Sequence, residues 1–170
     1  MTSRTRNPIL QRWLAPALLI VLLLASAGVA AWLYFTDYRA DQQVDATARQ
    51  AVLTAADDGA VALLSYSPAT LDADFANAKD RLTGDFLSYY TQFTDEIVAP
   101  AAREKQVQTS AAVVRKAIID IEPDRAEVLL FLNQTTTSKE NPDGSYSASA
   151  VKAVLEKRDN TWLISAFDPV

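Results

Sequence analysis

An uninterrupted apolar run occupies residues 14–35 and contains no charged side chain. About 20 apolar residues suffice for one helix to cross the ~30 Å hydrocarbon core of a bilayer. All charges that precede the run are arginines, and positively charged flanks stay in the cytoplasm. The sequence therefore predicts a cytoplasmic basic tail at residues 1–13, a transmembrane helix at 14–35 and an extracytoplasmic domain at 36–170.

A cleaved signal peptide is the alternative interpretation of the same run. Arg12, the leucines that follow it and the small residues Ala25-Ser26-Ala27 resemble a charged region, an apolar region and a cleavage site. Apolar residues continue past Ala27 as far as Phe35, however, so cleavage would leave a strongly apolar new N-terminus. The membrane anchor is therefore the favoured interpretation.

Small residues recur within the run at Ala25, Gly28 and Ala31. Small residues at such spacing let two membrane helices approach closely. Chance spacing in an alanine-rich anchor is the alternative, but these residues are the candidates for a contact with a partner helix in the membrane.

Charge restricts the partners of the predicted outer domain. All 21 acidic residues of the chain follow position 36, together with 13 of its 16 basic ones, so this domain has a net charge of −8. Nucleic acids and anionic lipid headgroups require a basic surface, so neither is expected as a partner.

The chain contains no cysteine and no histidine. Disulfides, thiolate nucleophiles and cysteine-based metal sites are therefore excluded. The commonest general base near neutral pH and the commonest transition-metal ligand are missing as well. The sequence predicts no cofactor and no metal site, and it disfavours an enzyme.

Helical spacing dominates the first half of the outer domain, over about residues 37–104. Apolar residues from Val44 to Leu63 predict a helix over about 37–65, whose alanine-rich face allows another element to pack closely. A second apolar stripe extends from Leu71 to Ile97, and Thr83-Gly84 is a point where it can divide.

The second half, over about residues 106–167, changes to a strand pattern. Asn141-Pro142-Asp143-Gly144 and Asp159-Asn160 are typical of tight turns. In the last strand, Trp162 and Ile164 are predicted to lie on the opposite face from Phe167. Together these signals predict four antiparallel strands, at Val107–Ile121, Ala126–Thr137, Tyr146–Arg158 and Thr161–Phe167.

Several segments resemble the Mce-associated membrane proteins of mycobacteria and related actinobacteria. They follow a short basic tail and a single anchor, and the resemblance covers essentially residues 14–170. The segments that carry it are Leu63-Leu64-Ser65-Tyr66-Ser67-Pro68, Leu71-Asp72-Ala73-Asp74, Ala78-Lys79-Asp80-Arg81-Leu82-Thr83-Gly84-Asp85-Phe86, Tyr90, Val128-Leu129-Leu130-Phe131-Leu132-Asn133-Gln134 and Trp162-Leu163-Ile164-Ser165-Ala166-Phe167-Asp168-Pro169-Val170.

The resemblance implies an α+β fold in which helices pack as a cone on a curved four-stranded antiparallel sheet, as in nuclear transport factor 2 (NTF2) and in VirB8 periplasmic domains. It also implies an accessory, non-enzymatic role. The expected partners are the permease or Mce proteins of a complex that imports lipids such as fatty acids or sterols.

Two other functions stay open at this stage. A lipid-binding carrier would use an apolar cavity of the cone, with Tyr66, Phe75, Phe86, Tyr90 and Trp162 as candidate lining residues. A plain hydrophobic core is the alternative explanation of the helical aromatic stripe that contains Phe75, Phe86, Tyr89, Tyr90 and Phe93. An enzyme on this scaffold, comparable to ketosteroid isomerase, would require an interior carboxylate beside a tyrosine donor.

Overall fold

The computed structural model describes residue 23, residues 25–32 and residues 46–170. The chain divides into two compact units, Met1–Gln43 and Val44–Val170. In the first unit, residues 25–32 are helical. No helix among the described residues combines the length and the apolar character needed to cross a membrane. Most of the predicted span at 14–35 lies outside the described residues.

The second unit is an α+β domain in which helices precede a sheet, as the sequence predicts. A five-residue π-helix, Thr94–Val98, interrupts the helical half. The remaining elements are α1 (Ala46–Leu64), α2 (Leu71–Lys79), α3 (Gly84–Phe93), α4 (Ala99–Lys105), β1 (Gln108–Ile121), β2 (Arg125–Thr137), β3 (Ser145–Arg158) and β4 (Thr161–Pro169).

All strand pairs are antiparallel, in the sheet order β1-β2-β3-β4. The predicted strands are confirmed to within two residues at every end. The turn between β3 and β4 has φ values of 48° at Asp159 and 65° at Asn160, the left-handed geometry that a two-residue hairpin requires. Gly144 has φ 83° and supplies the same freedom at the end of the β2–β3 loop.

Helix α1 buries one face against the sheet. The buried residues of this face are Val52, Ala56, Gly59, Ala60 and Leu63. A Cβ atom added at Gly59 would lie 2.5 Å from Ile164 Cδ1 of β4. The small residues of α1 therefore permit the close packing that the sequence predicts, and the element they pack on is the sheet. The main core also contains Val128, Leu130 and Leu132 of β2 and Leu155 of β3.

The stripe from Leu71 to Ile97 divides at Thr83-Gly84, where α3 begins. Thr83 N donates to Ile164 O at 3.0 Å, and Ile164 N donates to Arg81 O at 2.9 Å. These two backbone bonds attach the α2–α3 connection to β4. They fix the start of α3 beside the last strand.

The prediction that Phe167 lies on the opposite face of the last strand from Trp162 and Ile164 is wrong. Leu155 pairs with Ile164 while the preceding Val154 pairs with Ala166, so Ser165 is an extra, bulged residue. A bulge of one residue exchanges the faces of all residues beyond it, because successive side chains alternate across a strand. Phe167 consequently packs against the main core from the same side as Ile164.

Candidate functional site

A pocket of about 290 Å³ lies among the helices and the sheet of the second unit. It adjoins two separate hydrophobic clusters, since Leu63 and Tyr90 belong to the main core and Phe75 belongs to a smaller cluster with Leu71 of α2 and Ala99 of α4. The lining residues are Leu63, Leu64, Tyr66, Phe75, Phe86, Tyr89, Tyr90, Phe93, Thr94, Val98, Gln134 and Phe167. We call this site the aromatic pocket.

Its walls are a chain of touching rings. The ring centroids of Tyr66 and Phe75 are 5.3 Å apart, and those of Phe75 and Tyr90 are 6.4 Å apart in an edge-to-face arrangement. Phe86 then lies 6.4 Å from Tyr90 and 6.5 Å from Phe167. These spacings are within the favourable range for aromatic pairs. The rings therefore stabilise one another, although together they leave part of the space between the two hydrophobic clusters empty.

The π-helix shapes one side of the pocket. Pro100 lacks a backbone N–H, and in a regular α-helix its ring would clash with the carbonyl of Glu96, so a widened turn just before it relieves the conflict. Thr94 and Val98, the ends of this turn, both line the pocket. Pro100 was the available sequence signal for this feature, but it indicates only a break or a helix start.

Most polar groups of the pocket already have partners. The Tyr90 hydroxyl donates to Leu63 O at 3.2 Å, and the buried Thr94 hydroxyl donates to Tyr90 O at 2.8 Å. Gln134 Nε2 donates to the Thr109 hydroxyl at 2.7 Å. In the part of the chain that the structure describes, no group hydrogen-bonds to the Tyr66 hydroxyl or to Gln134 Oε1. One donor and one acceptor are therefore available to a ligand.

Burial raises the pKa values of two tyrosines that line the pocket, Tyr66 and Tyr90. It raises the pKa of Tyr66 above the ordinary 10.0. It raises the pKa of Tyr90 further, and negative charge on the nearby Tyr66 would add to that rise. Both hydroxyls are therefore neutral at physiological pH. Because no charged side chain lines the pocket, the site has no counterion for a charged ligand.

The structure brings four of the five sequence-predicted cavity residues together. Tyr66, Phe75, Phe86 and Tyr90 all line the pocket, although Phe75 and Tyr90 are also buried members of the two hydrophobic clusters. Trp162 is not among the lining residues. It is a buried part of the main core, and Lys157 Nζ lies 5.8 Å from its ring centroid.

Tyr66 reaches the pocket through a local feature that sequence reasoning missed. It follows the end of α1 and forms an isolated antiparallel bridge with Thr109 of β1, with backbone N–O distances of 3.0 Å and 2.9 Å. Sequence reasoning also missed Gln134 and Phe167. Side chains alternate between the two faces along β2, so the sequence predicts Gln134 on the same face as the buried Leu132. The bulge breaks this alternation in β4, so the sequence pattern does not show that Phe167 faces the pocket.

Three large apolar side chains form an exposed ridge next to the pocket mouth. Tyr89, Phe93 and Ile97 follow one another at intervals of four residues, with 61%, 39% and 58% of their surface exposed. The Tyr89 and Phe93 rings stack at 5.9 Å. We call these residues the α3 ridge. The ridge adjoins the pocket, because Tyr89 and Phe93 belong to the ridge and also line the pocket.

The small residues of the N-terminal run lie in the first unit. Ala25, Gly28 and Ala31 are all exposed on the helical segment 25–32. A Cβ atom added at Gly28 would meet nothing within 4 Å.

Among the described residues, the carboxylates lie outside the aromatic pocket. No aspartate or glutamate in these ranges is buried, and none lines the aromatic pocket. These residues also hold no cluster of three or more potential metal ligands. The interior carboxylate that an isomerase-type enzyme would require is absent from this pocket.

Comparison with known proteins identifies relatives in mycobacteria. The uncharacterized protein Rv1362c of Mycobacterium tuberculosis is 55% identical over 155 residues, which cover 91% of this chain and 70% of the relative. The chain belongs to the family of this protein. The outer membrane protein Rv1973 of the same organism is 45% identical over 126 residues, which cover 74% of this chain and 78% of the relative. No family model matches the chain.

Solved structures show which fold the second unit shares. The periplasmic domain of DotI aligns with a TM-score of 0.57 at 18% identity, covering 71% of this chain and 94% of that domain. CagV, a VirB8 homologue of Helicobacter pylori, aligns with a TM-score of 0.56 at 11% identity, covering 71% of this chain and 97% of CagV. The expected VirB8-like α+β fold is confirmed.

Proposed function

We propose that this protein is an accessory component of an Mce-type lipid import complex, which it assembles or stabilises through protein contacts and without catalysis. The sequence resemblance to Mce-associated membrane proteins supports the complex, and the mycobacterial relatives are consistent with it. The imported lipid would be a fatty acid or a sterol. The partners would be the permease or Mce subunits.

The observation that carries the proposal is the α3 ridge. Single exposed apolar side chains are normal on a protein surface, but a contiguous group of large ones marks a contact site. The exposed rings of Tyr89 and Phe93 stack on each other, and the exposed Ile97 follows in the π-helix four residues later. The absence of a carboxylate from the aromatic pocket supports a role in binding rather than in acid–base catalysis.

In this proposal the protein is a single-pass component of the inner membrane, with its N-terminus in the cytoplasm and the second unit outside. The arginines before residue 14 support this orientation. DotI has a periplasmic domain of the same fold, whereas Rv1973 is called an outer membrane protein. Membrane fractionation, with a protease added to intact spheroplasts, tests the location. We expect an inner-membrane protein whose second unit is digested, and recovery in the outer membrane would contradict this part of the proposal.

The partner is tested with a matched pair of substitutions. Ile97 on the ridge and Ile119 on β1 are exposed to 58% and 54%, and neither lines the pocket. Ile97→Asp places a charge in the proposed contact, whereas Ile119→Asp makes the same change elsewhere. After crosslinking in native mycobacterial membranes, we expect transporter subunits to be recovered with wild type and Ile119→Asp and to be lost with Ile97→Asp. Recovery of only unrelated proteins with wild type would overturn the proposal.

The small residues of the anchor are a second proposed contact with the permease. Ala31→Leu adds bulk to the face that contains Ala25 and Gly28, and Ala30→Leu adds the same bulk to a different face of the helical segment. We expect Ala31→Leu to reduce recovery of the permease and Ala30→Leu to leave it unchanged. Equal recovery with both variants would remove the anchor from the contact.

A further inference from the structure

The aromatic pocket has the composition of a ligand site. Its walls are aromatic and aliphatic, and it contains few polar groups, as in most small-molecule sites. Its volume of about 290 Å³ is near the lower limit of roughly 300–1,000 Å³ that is typical of sites enclosing whole ligands. The pocket can therefore enclose only part of a long molecule, and the remainder would extend past the exposed rings of Tyr89 and Phe93.

The free polar groups indicate which end is enclosed. The Tyr66 hydroxyl can donate a hydrogen bond and Gln134 Oε1 can accept one, and neither is used within the described residues. A ligand hydroxyl can accept from the Tyr66 hydroxyl or donate to Gln134 Oε1, and an ester carbonyl can accept from Tyr66. A carboxylate would lose its hydration without gaining a positive partner.

The exposed side chains indicate where the rest of the ligand lies. Tyr89 and Phe93 line the pocket and also form part of the α3 ridge. Their stacked rings offer a continuous apolar path from the pocket to the surface. A methylene chain laid along this path is partly removed from water.

We propose that the aromatic pocket binds the uncharged polar end of an aliphatic lipid, such as a long-chain alcohol or ester, with the polar end at Tyr66 and Gln134 and the chain passing out over Tyr89 and Phe93. This binding site does not require the partner complex proposed above. A purified protein that binds the lipid but no transporter subunit would therefore refute only the partner.

The test uses the full chain in phosphatidylcholine nanodiscs and photoreactive lipid probes. A long-chain alcohol that carries a diazirine is compared with the carboxylate and with the alkane of the same length, and labelled peptides are mapped by mass spectrometry. We expect the alcohol to label peptides of α3 and the π-helix, and to label them at least about tenfold more than the carboxylate, because the pocket lacks a counterion. Excess unlabelled alcohol should abolish this labelling.

Matched substitutions localise the site. Leu64→Phe narrows the pocket, whereas Leu129→Phe makes the same change at a half-buried position outside it. We expect Leu64→Phe to weaken labelling about fourfold, since excluding one methylene group has roughly that effect, and Leu129→Phe to leave it unchanged. If Leu64→Phe does not fold, competition by the unlabelled alcohol on wild type decides the result.

The polar contact has its own pair of variants. Tyr66→Phe removes the free hydroxyl and should reduce alcohol labelling about threefold to tenfold, as expected for one hydrogen bond. Labelling by the alkane should not change. Tyr146→Phe, at an exposed tyrosine outside the pocket, should alter neither. Label spread evenly over the surface, or label confined to residues 14–35, would overturn the proposal, as would equal labelling by alcohol and carboxylate.

Discussion

Helices α1 and α3 pack against the sheet in different ways. Helix α1 buries five residues, most of them small, and Gly59 brings its backbone close to Ile164 of β4. Helix α3 buries only Tyr90, and its other rings are half-buried or exposed. Small residues permit contact without voids, whereas large rings hold their helix away from its neighbours and leave a pocket. We propose that α1 and the sheet hold the fold together, and that the surface around α3 contacts partners or ligands. We call this second region the working surface.

The largest effect is expected in the α1–sheet core. Leu130 has no exposed surface and belongs to the main cluster. Leu130→Ala should lower the free energy of unfolding by ~2–5 kcal/mol, through lost burial and the cavity left behind. Urea denaturation followed by circular dichroism measures it. A loss below about 1 kcal/mol would show that this core is not tightly packed.

Enlarged side chains compare the two regions directly. Ala56 of α1 is fully buried, so Ala56→Leu should cost ~1–3 kcal/mol through overpacking. Leu64→Phe, at the end of α1 where this helix reaches the pocket, adds bulk beside existing space and should cost about 1 kcal/mol less than Ala56→Leu. Thermal unfolding of both variants gives the comparison. Equal losses would contradict the difference in packing.

Removal of one hydroxyl should have a smaller effect. Tyr90→Phe deletes the hydrogen bond to Leu63 O and should cost ~0.5–1.5 kcal/mol. Tyr89→Phe is the control, because Tyr89 is 61% exposed and should be close to neutral. A neutral Tyr90→Phe would mean that this bond does not hold α3 to the end of α1.

The two pocket tyrosines should make stability depend on pH in alkaline solution. Because burial raises the pKa values of Tyr66 and Tyr90 above 10.0, the folded state retains protons that the unfolded state loses. The contribution of these tyrosines to stability is therefore fully present below about pH 10 and is lost as pH rises from there towards the folded pKa values. Denaturation midpoints across this range measure the fall. Tyr90→Phe should reduce the slope, and an unchanged slope would show that Tyr90 is not the titrating group.

Regular patterns made much of the fold predictable from sequence. Alternation in β2 and the Asp159-Asn160 turn depend on neighbouring residues alone, so they can be read locally. The bulge at Ser165 cannot be predicted from neighbouring residues, because it arises from pairing with β3. The alternation of buried and exposed side chains stays intact on either side of it. This one residue moved Phe167 to the pocket side.

The candidate site was only partly predictable for the same reason. Helical spacing identified Phe86 and Tyr90, but it does not distinguish a filled core from a pocket, which depends on how far apart the helices lie. Trp162 is a predicted cavity residue, but the structure packs it in the main core together with Ile164. The bulge lies beyond Trp162 in β4, so it changes the face of Phe167 and not that of Trp162.

The most direct test of the working surface is site-specific photo-crosslinking in living mycobacterial cells. A photoreactive phenylalanine analogue replaces either Phe93 on the α3 ridge or Phe131 on β2, two phenylalanines with similar exposure of 39% and 43%. We predict crosslinks to subunits of a lipid import complex from position 93 and none of these from position 131. Crosslinks to such subunits from position 131 alone, or from neither position, would contradict the assignment of α3 as the working surface.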